Sequence, residues 1–322
     1  MKRQNLILQL ILFATFFPLI VFAQTREDLQ KAQQFVNEGY AAAKQLDFPS
    51  AIESYSKAIN LYPKSPQIFF NRGTIYIQLR EYKLAIGDFD KAIDLGRNLP
   101  DKQLATFYMN RGIAFQAIGD YEKAVEDLSK AISLKSEDVR IYINRANAYY
   151  LLKKNELAIA DLNKALEIAP HPLIFFNRGR VYYEKRDFDQ AIKDFTKTIE
   201  LNPQLSEAYS GRAVSYENKG NFDSALQDST KAISLAEKDG IYYFNRGNIY
   251  FKKGSIALAI ADYSKAIEIY PLWSEAFRYR ANAYKKQGQN KLAEADLQKA
   301  KEVEKEKFNP IEKIRLISPQ QF

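Results

Sequence analysis

The chain has 322 residues, of which 46% are hydrophobic and 27% are charged, proportions that are ordinary for a folded protein. The absence of cysteine excludes disulfides, thiolate metal sites and the lipid-modified cysteine of a bacterial lipoprotein. The net charge of +8 is too mild and too dispersed along the chain to indicate nucleic-acid binding.

The first 23 residues differ from the rest of the chain. Two basic residues precede an apolar run from Leu6 to Val21, and Ala23 follows it. This order is typical of a secretory signal peptide that is cleaved after Ala23. We therefore expect a periplasmic or secreted protein that has no stable membrane span after cleavage. An uncleaved anchor is the alternative, because the apolar run approaches the length that spans a bilayer, although Gln9 and Pro18 weaken it.

A small residue recurs through the remaining chain at spacings of 33 to 39 residues, most of them 34. It stands at Gly39, Gly73, Gly112, Ala146, Gly179, Ala213, Gly247 and Ala281. An alanine follows each of them after twelve residues, and another small residue follows after seven more. This period belongs to a two-helix solenoid repeat, which buries its core only between neighbouring units. Such an array exposes a long continuous surface, so function is expected in a groove that holds a partner.

These small residues, with aromatic residues such as Phe89 and Tyr263 between them, match the pattern of the tetratricopeptide repeat (TPR) family. The segments FFNRGTIYIQLREYKLAIGDFDKAIDL and YFNRGNIYFKKGSIALAIADYSKAIEI fit that pattern at nearly every constrained position. The chain therefore resembles a TPR protein of the secreted or periplasmic bacterial type. The resemblance implies an all-α, right-handed superhelical solenoid of about eight helix-turn-helix units, with the first helix of each unit on the concave side.

In the TPR frame the recurring Gly or Ala takes repeat position 8, and the two later small residues take positions 20 and 27. A signal peptide at 1–23 precedes a solenoid at 24–307, and a capping segment at 308–322 ends the chain. The repeats lie near 32–65, 66–99, 105–138, 139–171, 172–205, 206–239, 240–273 and 274–307.

Arginine and aspartate form two further columns of the repeat. Position 7 is arginine in units two to eight, at Arg72, Arg111, Arg145, Arg178, Arg212, Arg246 and Arg280. Position 23 is aspartate in the same units, at Asp88, Asp127, Asp161, Asp194, Asp228, Asp262 and Asp296. Pairing inside each unit leaves no residue of either column without a partner. We therefore predict an ion pair between the two helices of a unit, because a half-buried guanidinium needs a carboxylate. Ligand binding by the arginines is the alternative.

Asparagine occupies position 6 in six units, at Asn37, Asn71, Asn110, Asn144, Asn177 and Asn245. One carboxamide per unit forms a ladder along the groove, and a carboxamide can both donate to and accept from the backbone of an extended peptide. The ladder resembles that in the superhelical domain of O-linked N-acetylglucosamine transferases, although no transferase domain follows here. The alternative is that asparagine at this position is a common family feature without a ligand.

Aromatic residues accompany the ladder at position 5 (Phe70, Phe176, Phe244) and at position 12 (Tyr150, Tyr183, Phe251). Rings beside amides suit a peptide or a glycan, so these side chains are either anchors in the groove or packing between units.

The clamp by which chaperone-binding members hold a C-terminal carboxylate needs lysines, asparagines and an arginine at set positions. No three successive units supply that set, so we do not expect this mechanism.

The period is broken at two places. Five extra residues precede Ala105, and Pro100 followed by Asp101 predicts a helix start that lengthens the first helix of unit three by about one turn. At the far end, Lys301 replaces the isoleucine or leucine that the other units carry at position 28. A polar substitution is expected where no further unit follows.

Catalysis has little support in the sequence. The single histidine, His171, stands between two prolines, where we expect a solvated loop residue, and no phosphate loop, nucleophile elbow or histidine-rich metal spacing is present. We therefore predict a protein that is not an enzyme and has no cofactor or metal. The prediction is a scaffold or adaptor that binds extended protein or peptide segments and no nucleic acid; a solenoid that binds cell-envelope glycan is the alternative. The identity of the partner and self-association stay open.

Overall fold

The computed structural model describes residues 25–134, 137–306 and 308–310. Over these residues the protein is all-α, with 16 α-helices, a 3₁₀ turn at Glu304–Glu306 and no strand. The helices are α1 Arg26–Lys44, α2 Phe48–Leu61, α3 Pro66–Gln78, α4 Tyr82–Leu95, α5 Asp101–Ala117, α6 Tyr121–Ser133, α7 Val139–Leu151, α8 Asn155–Ile168, α9 Pro172–Glu184, α10 Phe188–Leu201, α11 Ser206–Asn218, α12 Phe222–Leu235, α13 Gly240–Lys253, α14 Ile256–Ile269, α15 Ser274–Lys286 and α16 Asn290–Val303. They confirm the predicted array of eight helix-turn-helix units, in which odd-numbered helices come first and even-numbered helices second.

The chain divides into two compact parts. The first holds helices α1 to α7 and the start of α8 as far as Asp161, and the second runs from Leu162 through α16. Within each part, a first helix packs against the second helix of its unit, and that helix packs against the next first helix. Neighbouring first helices also touch, as α3 and α5 do in the first part and α11 and α13 in the second. Contacts between neighbours are the expected basis of a repeat array.

The turn inside each unit depends on one residue with a left-handed backbone at position 15. Glycine takes this position in four units, at Gly119, Gly220, Gly254 and Gly288, and the other four units use Leu46, Arg80, Lys153 and Arg186. A left-handed residue is a common way to end a helix. In four units an Asp or Asn follows directly and caps the second helix. Asp187, for example, accepts a hydrogen bond from the backbone N–H of Gln190.

The small residue at position 8 makes room for a large residue at position 24 of the second helix. A Cβ added to Gly247 would lie 2.7 Å from Cε1 of Tyr263, and one added to Gly73 would lie 2.8 Å from Cε1 of Phe89. Both distances are well below the 3.5–4.0 Å at which non-bonded carbon atoms attract each other. Tyr263 and Phe89 are fully buried. The interpretation that these small residues let two helices approach closely is confirmed.

The longer first helix of unit three is also confirmed, because α5 has 17 residues where α3 and α7 have 13.

At the C-terminal end of the array, the ring of Phe308 lies 5.7 Å from that of Tyr270, against the core cluster that contains Trp273. The rest of the expected capping segment, from residue 311, and the expected signal peptide at 1–23 lie outside the described residues. None of the helices that the structure describes is long and apolar enough to cross a membrane.

His171 has a structural role that corrects the expectation of a solvated loop residue. It is half-buried, and its Nδ1 accepts a hydrogen bond of 3.3 Å from the backbone N–H of Leu173, which caps the start of α9. Burial lowers the pKa of the imidazole. The neutral ring is the form that can accept this bond, so burial and capping favour the same protonation state.

Candidate functional site

The arginines of position 7 each make a double hydrogen bond to the aspartate of their own unit. Arg178 Nε and Nη2 donate to Asp194 Oδ2 and Oδ1 at 2.8 and 2.7 Å. The other six pairs are Arg72–Asp88, Arg111–Asp127, Arg145–Asp161, Arg212–Asp228, Arg246–Asp262 and Arg280–Asp296. The predicted pairing within units is therefore confirmed. The arginine side chains are only 18–20% exposed, so each guanidinium is held where a carboxylate must offset its desolvation.

The third guanidinium nitrogen, Nη1, reaches the preceding unit. Arg212 Nη1 donates to Thr196 Oγ1 at 3.0 Å. Position 25 supplies an oxygen acceptor to every one of these arginines, at Ser56, Asp90, Ser129, Asn163, Thr196, Thr230 and Ser264. Aromatic rings at positions 4 and 11 also lie against the guanidinium, as Tyr243 and Tyr250 do against Arg246. With these groups engaged inside the protein, the arginine column is structural.

We call the groove face the side of the first helices that carries positions 5, 6, 9, 12 and 13, which follow the three-to-four residue spacing of one helix side. Three of the six ladder asparagines are buried there: Asn110, Asn144 and Asn177 are 6%, 4% and 1% exposed. Asn110 and Asn144 donate their Nδ2 to the backbone carbonyls of Thr106 and Arg140, four residues earlier in their own helices. Their amides thus contribute to the helices, and ligand contact by the ladder rests on its other members.

Asn37, Asn71 and Asn245 are more accessible. Asn71 accepts a hydrogen bond from Gln67 Nε2, and Gln67 in turn accepts one from Gln103 Nε2, which links α3 to α5 along the groove face. Asn245 Nδ2 donates to Ser210 Oγ at 3.2 Å and so links α13 to α11. Peptide binding by these three residues stays a prediction.

The aromatic residues singled out from the sequence fall into two groups. Phe70, Phe176 and Phe244 belong to the core, because each is at most 7% exposed and packs against an aromatic ring of its own second helix at a centroid distance of 5.7 Å. Tyr150 is also buried. Tyr183 and Phe251 are half-buried and present part of their rings on the groove face. Burial raises the pKa of Tyr183, so this side chain is a neutral phenol.

A cavity of about 300 Å³ opens on the groove face of three successive first helices, α11, α13 and α15. Its lining residues are Glu217, Asn248, Phe251, Lys252, Tyr263, Tyr279 and Asn282. All except Tyr263, which comes from the second helix α14, stand at groove-face positions of the repeat. This volume is at the lower limit of ligand-binding pockets, and aromatic walls with a few polar groups are their usual lining.

The polar groups of this cavity are held in defined positions. The carboxylate of Glu217 is 7% exposed and forms an ion pair of 2.8 Å with Lys252 Nζ, whose side chain is half exposed. Tyr263 donates its hydroxyl to Asn248 Oδ1 at 2.8 Å. Burial raises the pKa of Tyr263, so the hydroxyl keeps the proton that it donates. The Oδ1 of Asn248 is thereby fixed, and its Nδ2 is oriented as a donor.

Of the cavity residues, sequence reasoning identified only Phe251. The missed signals were Tyr279, which replaces the usual asparagine at position 6, and Glu217, which stands at position 12 between the aromatic Tyr183 and Phe251 of the neighbouring units. Tyr279 is 39% exposed and lies edge-on to the buried ring of Phe244 at 4.9 Å.

Comparison with known proteins places these units in a family. Models described as tetratricopeptide repeats match residues 36–100, 139–172, 172–205, 206–239 and 241–271, and a model described as a TPR repeat matches 112–153. Small glutamine-rich tetratricopeptide repeat-containing protein 2 of Mycosarcoma maydis is 44% identical over 66 residues, which are 20% of this chain and 19% of that protein. The chain spans about a fifth or less of the length of the curated relatives it matches.

Solved structures of other repeat proteins share the fold. A tetratricopeptide repeat protein from Parabacteroides merdae is 22% identical, with a TM-score of 0.56 and coverage of 91% of this chain and 100% of that one. The C-terminal part of a TPR repeat-containing protein from Cytophaga hutchinsonii is 19% identical, with a TM-score of 0.60 and coverage of 78% and 98%. At this identity the likeness shows the fold.

Over the described residues, no group of three or more histidine, aspartate or glutamate side chains is placed to hold a metal ion.

Proposed function

Because the chain belongs to the tetratricopeptide repeat family, whose members are protein-interaction scaffolds, we propose that it is a non-catalytic scaffold that binds an extended segment of a partner protein on its groove face. The observation that carries this proposal is the cavity on α11, α13 and α15, where accessible carboxamides and aromatic rings from successive units meet. An extended peptide lying across these helices would meet side chains of successive units in turn.

The carboxamides give the proposal its chemistry. Asn248 and Asn282 both stand at position 9, one unit apart, and line the same cavity. A peptide backbone offers donors and acceptors at regular intervals whatever its side chains, and a carboxamide can meet either kind of group. The rings of Phe251 and Tyr279 supply apolar contact beside them. Affinity would then come from the backbone and selectivity from the side-chain pocket.

We further propose that the protein acts in the cell envelope or outside the cell. The support for this location is the sequence of residues 1–23, with its basic start, apolar run and Ala23. The N-terminus of the protein recovered from its native cells tests it directly. A mature chain that begins at Gln24 would support export, whereas a chain that still carries residues 1–23 would favour the uncleaved anchor.

The binding proposal is tested on an array of immobilised unstructured peptides probed with the protein and with two matched double variants. Asn248→Ala with Asn282→Ala removes two groove-face carboxamides, and Gln227→Ala with Gln298→Ala removes two exposed carboxamides from the second helices α12 and α16. Because each amide contributes a neutral hydrogen bond of about 1 kcal/mol, the loss of two should weaken binding by the first variant roughly thirtyfold, and the second variant should bind like the parent.

Circular dichroism of all three proteins serves as the control for folding. Equal binding by the two variants would move the site away from the groove face. If no peptide is bound but soluble peptidoglycan fragments are, the proposal fails in favour of a glycan-binding solenoid.

A further inference from the structure

We propose that the cavity on α11, α13 and α15 is an anchor site for one tyrosine or tryptophan side chain of the bound segment, and that acidic residues flank this anchor. The inference rests on the proposed function, because it names the kind of segment that the groove face selects. It is carried by three properties of the cavity: its aromatic walls, its buried carboxylate and the positive charge at its rim.

The walls favour a flat ring. Tyr279 is held edge-on to two buried rings, at centroid distances of 4.9 Å from Phe244 and 6.0 Å from Tyr263, and it still exposes 39% of its surface. Phe251 forms another wall and is half-buried. Aromatic rings pack edge-to-face or offset at such distances and gain more than their buried area alone provides. A cavity of about 300 Å³ has room for one such side chain and not for a folded ligand.

The carboxylate of Glu217 favours a ring that carries a donor. It is buried, and its ion pair with Lys252 occupies only part of the acceptor capacity of its two oxygens. The hydroxyl of tyrosine or the indole N–H of tryptophan can donate to it, whereas phenylalanine would leave the remaining acceptor capacity of the carboxylate unused. Sites built around a buried polar group discriminate strongly against an analogue that leaves it unpaired.

The charges around the cavity favour acidic flanking residues over a cationic anchor. Glu217 and Lys252 neutralise each other inside it. At the rim, Lys286 Nζ lies over the ring of Phe251 at 5.8 Å, and Lys285 precedes it in the last turn of α15. Neither lysine forms an ion pair within the described part of the chain, whereas the neighbouring Lys253 is paired with Asp223 at 2.5 Å. A positive rim attracts carboxylates of the segment and opposes an arginine or lysine anchor.

The test uses a short fluorescein-labelled peptide of glycine, serine and aspartate with one central tyrosine, measured by fluorescence anisotropy with the full chain. Sister probes carry tryptophan, phenylalanine, alanine or arginine at the centre, and one carries lysine in place of every aspartate. Tyrosine and tryptophan probes should bind most tightly, phenylalanine more weakly, and alanine about tenfold or more below tyrosine, because a central anchor dominates the energy of such contacts. The arginine and lysine probes should bind no better than the alanine probe.

Two variants locate the effect in the cavity. Tyr279→Asn installs the residue that six other units carry at position 6, so the helix should tolerate it, and it should remove the difference between tyrosine and alanine probes. Lys286→Ala should reduce the preference for the aspartate probe, whereas the control Lys253→Ala should not. Melting temperatures of all variants show that the array is intact.

The outcomes separate the two proposals. If alanine and tyrosine probes bind equally, or if Tyr279→Asn changes nothing, the anchor is overturned while peptide binding by the groove face stands. Tighter binding of the arginine probe would overturn the aromatic anchor in favour of a cation site. If neither these probes nor any member of the peptide array binds, the scaffold proposal and the anchor fail together.

Discussion

Arg178 and Asp194 join the two helices of one unit by two parallel hydrogen bonds of 2.8 and 2.7 Å, and the third guanidinium nitrogen of Arg178 donates to Asn163 of the unit before it at 2.6 Å. One side chain therefore holds three helices together. The same arrangement repeats with each arginine of position 7, so the column links the two helices of each unit to each other and to the unit before.

The Arg178–Asp194 pair should show energetic coupling. Arg178→Ala or Asp194→Ala alone should lower the free energy of unfolding by about 1–3 kcal/mol, because either change leaves a mostly buried charge without its partner. The double variant should cost less than the sum of the two, as urea denaturation would measure. The exposed pair Lys197–Glu200 is the control and should show no measurable coupling. Strict additivity for Arg178 and Asp194 would contradict the structural role of the pair.

The bond between units should have its own effect on stability. Thr196→Val keeps the shape of the side chain and removes the hydroxyl that accepts from Arg212 Nη1 at 3.0 Å, so it should cost about 1 kcal/mol. Thr230→Val removes the same kind of acceptor at a longer distance, 3.3 Å from Arg246 Nη1, and should cost less. Chemical denaturation of both variants gives the order. A larger loss for Thr230→Val would mean that these bonds do not support the array.

Two glycine-to-alanine changes should act in opposite directions. Gly87 lies within α4 with open space around it, so Gly87→Ala should stabilise the protein by about 0.5–1 kcal/mol through helix propensity. At Gly247 the new Cβ would lie 2.7 Å from Tyr263, and overpacking should destabilise by about 1–3 kcal/mol despite the same gain in propensity. Thermal unfolding of the two variants measures the difference. A stabilising Gly247→Ala would show that Tyr263 can move aside.

His171 should make stability depend on pH in the weakly acidic range. Burial lowers its pKa below 6.5, so the folded protein resists the proton that the unfolded chain accepts. The stabilisation from the neutral imidazole is therefore present above pH 6.5 and is lost as the pH falls through the lowered pKa of the folded protein. His171→Asn replaces the Nδ1 acceptor at the helix start with a side-chain oxygen and does not titrate. The urea midpoint of unfolding should be lower at pH 5.5 than at pH 7 for the parent, and it should change less for the variant. An equal decrease in both proteins would place the pH dependence elsewhere.

Much of the fold could be predicted because the units repeat the same contacts at the same separations along the chain. Gly247 and Tyr263 are 16 residues apart, as Arg178 and Asp194 are, and both contacts join the two helices of one unit. When such a contact recurs in each unit, the same residue types appear at the same two positions of the repeat. The pairing within units could be read from such columns by asking which arrangement leaves no charge without a partner.

The candidate site could not be predicted in this way. Asn144 looks like an open ladder residue, yet its side chain is buried and its backbone carbonyl accepts a hydrogen bond from Gln116 of the preceding unit. Whether a position 6 side chain faces solvent depends on the size of its neighbours in adjacent units, and no column records that size. The recurrence of asparagine at position 6 therefore predicted ligand contact for some side chains that are buried in the structure.

The sequence by itself determined the eight helix pairs, the small residues where helices meet and the partner of each arginine, because these features depend on short, fixed separations along the chain. Only the tertiary structure decided which groove-face residues remain accessible, and that Glu217, Lys252 and Tyr279 surround one cavity. These three residues come from three different units, and none of them belongs to a constant column of the repeat. Their meeting depends on how neighbouring units stack, and stacking is set by side-chain volumes in three dimensions that a one-dimensional period does not contain.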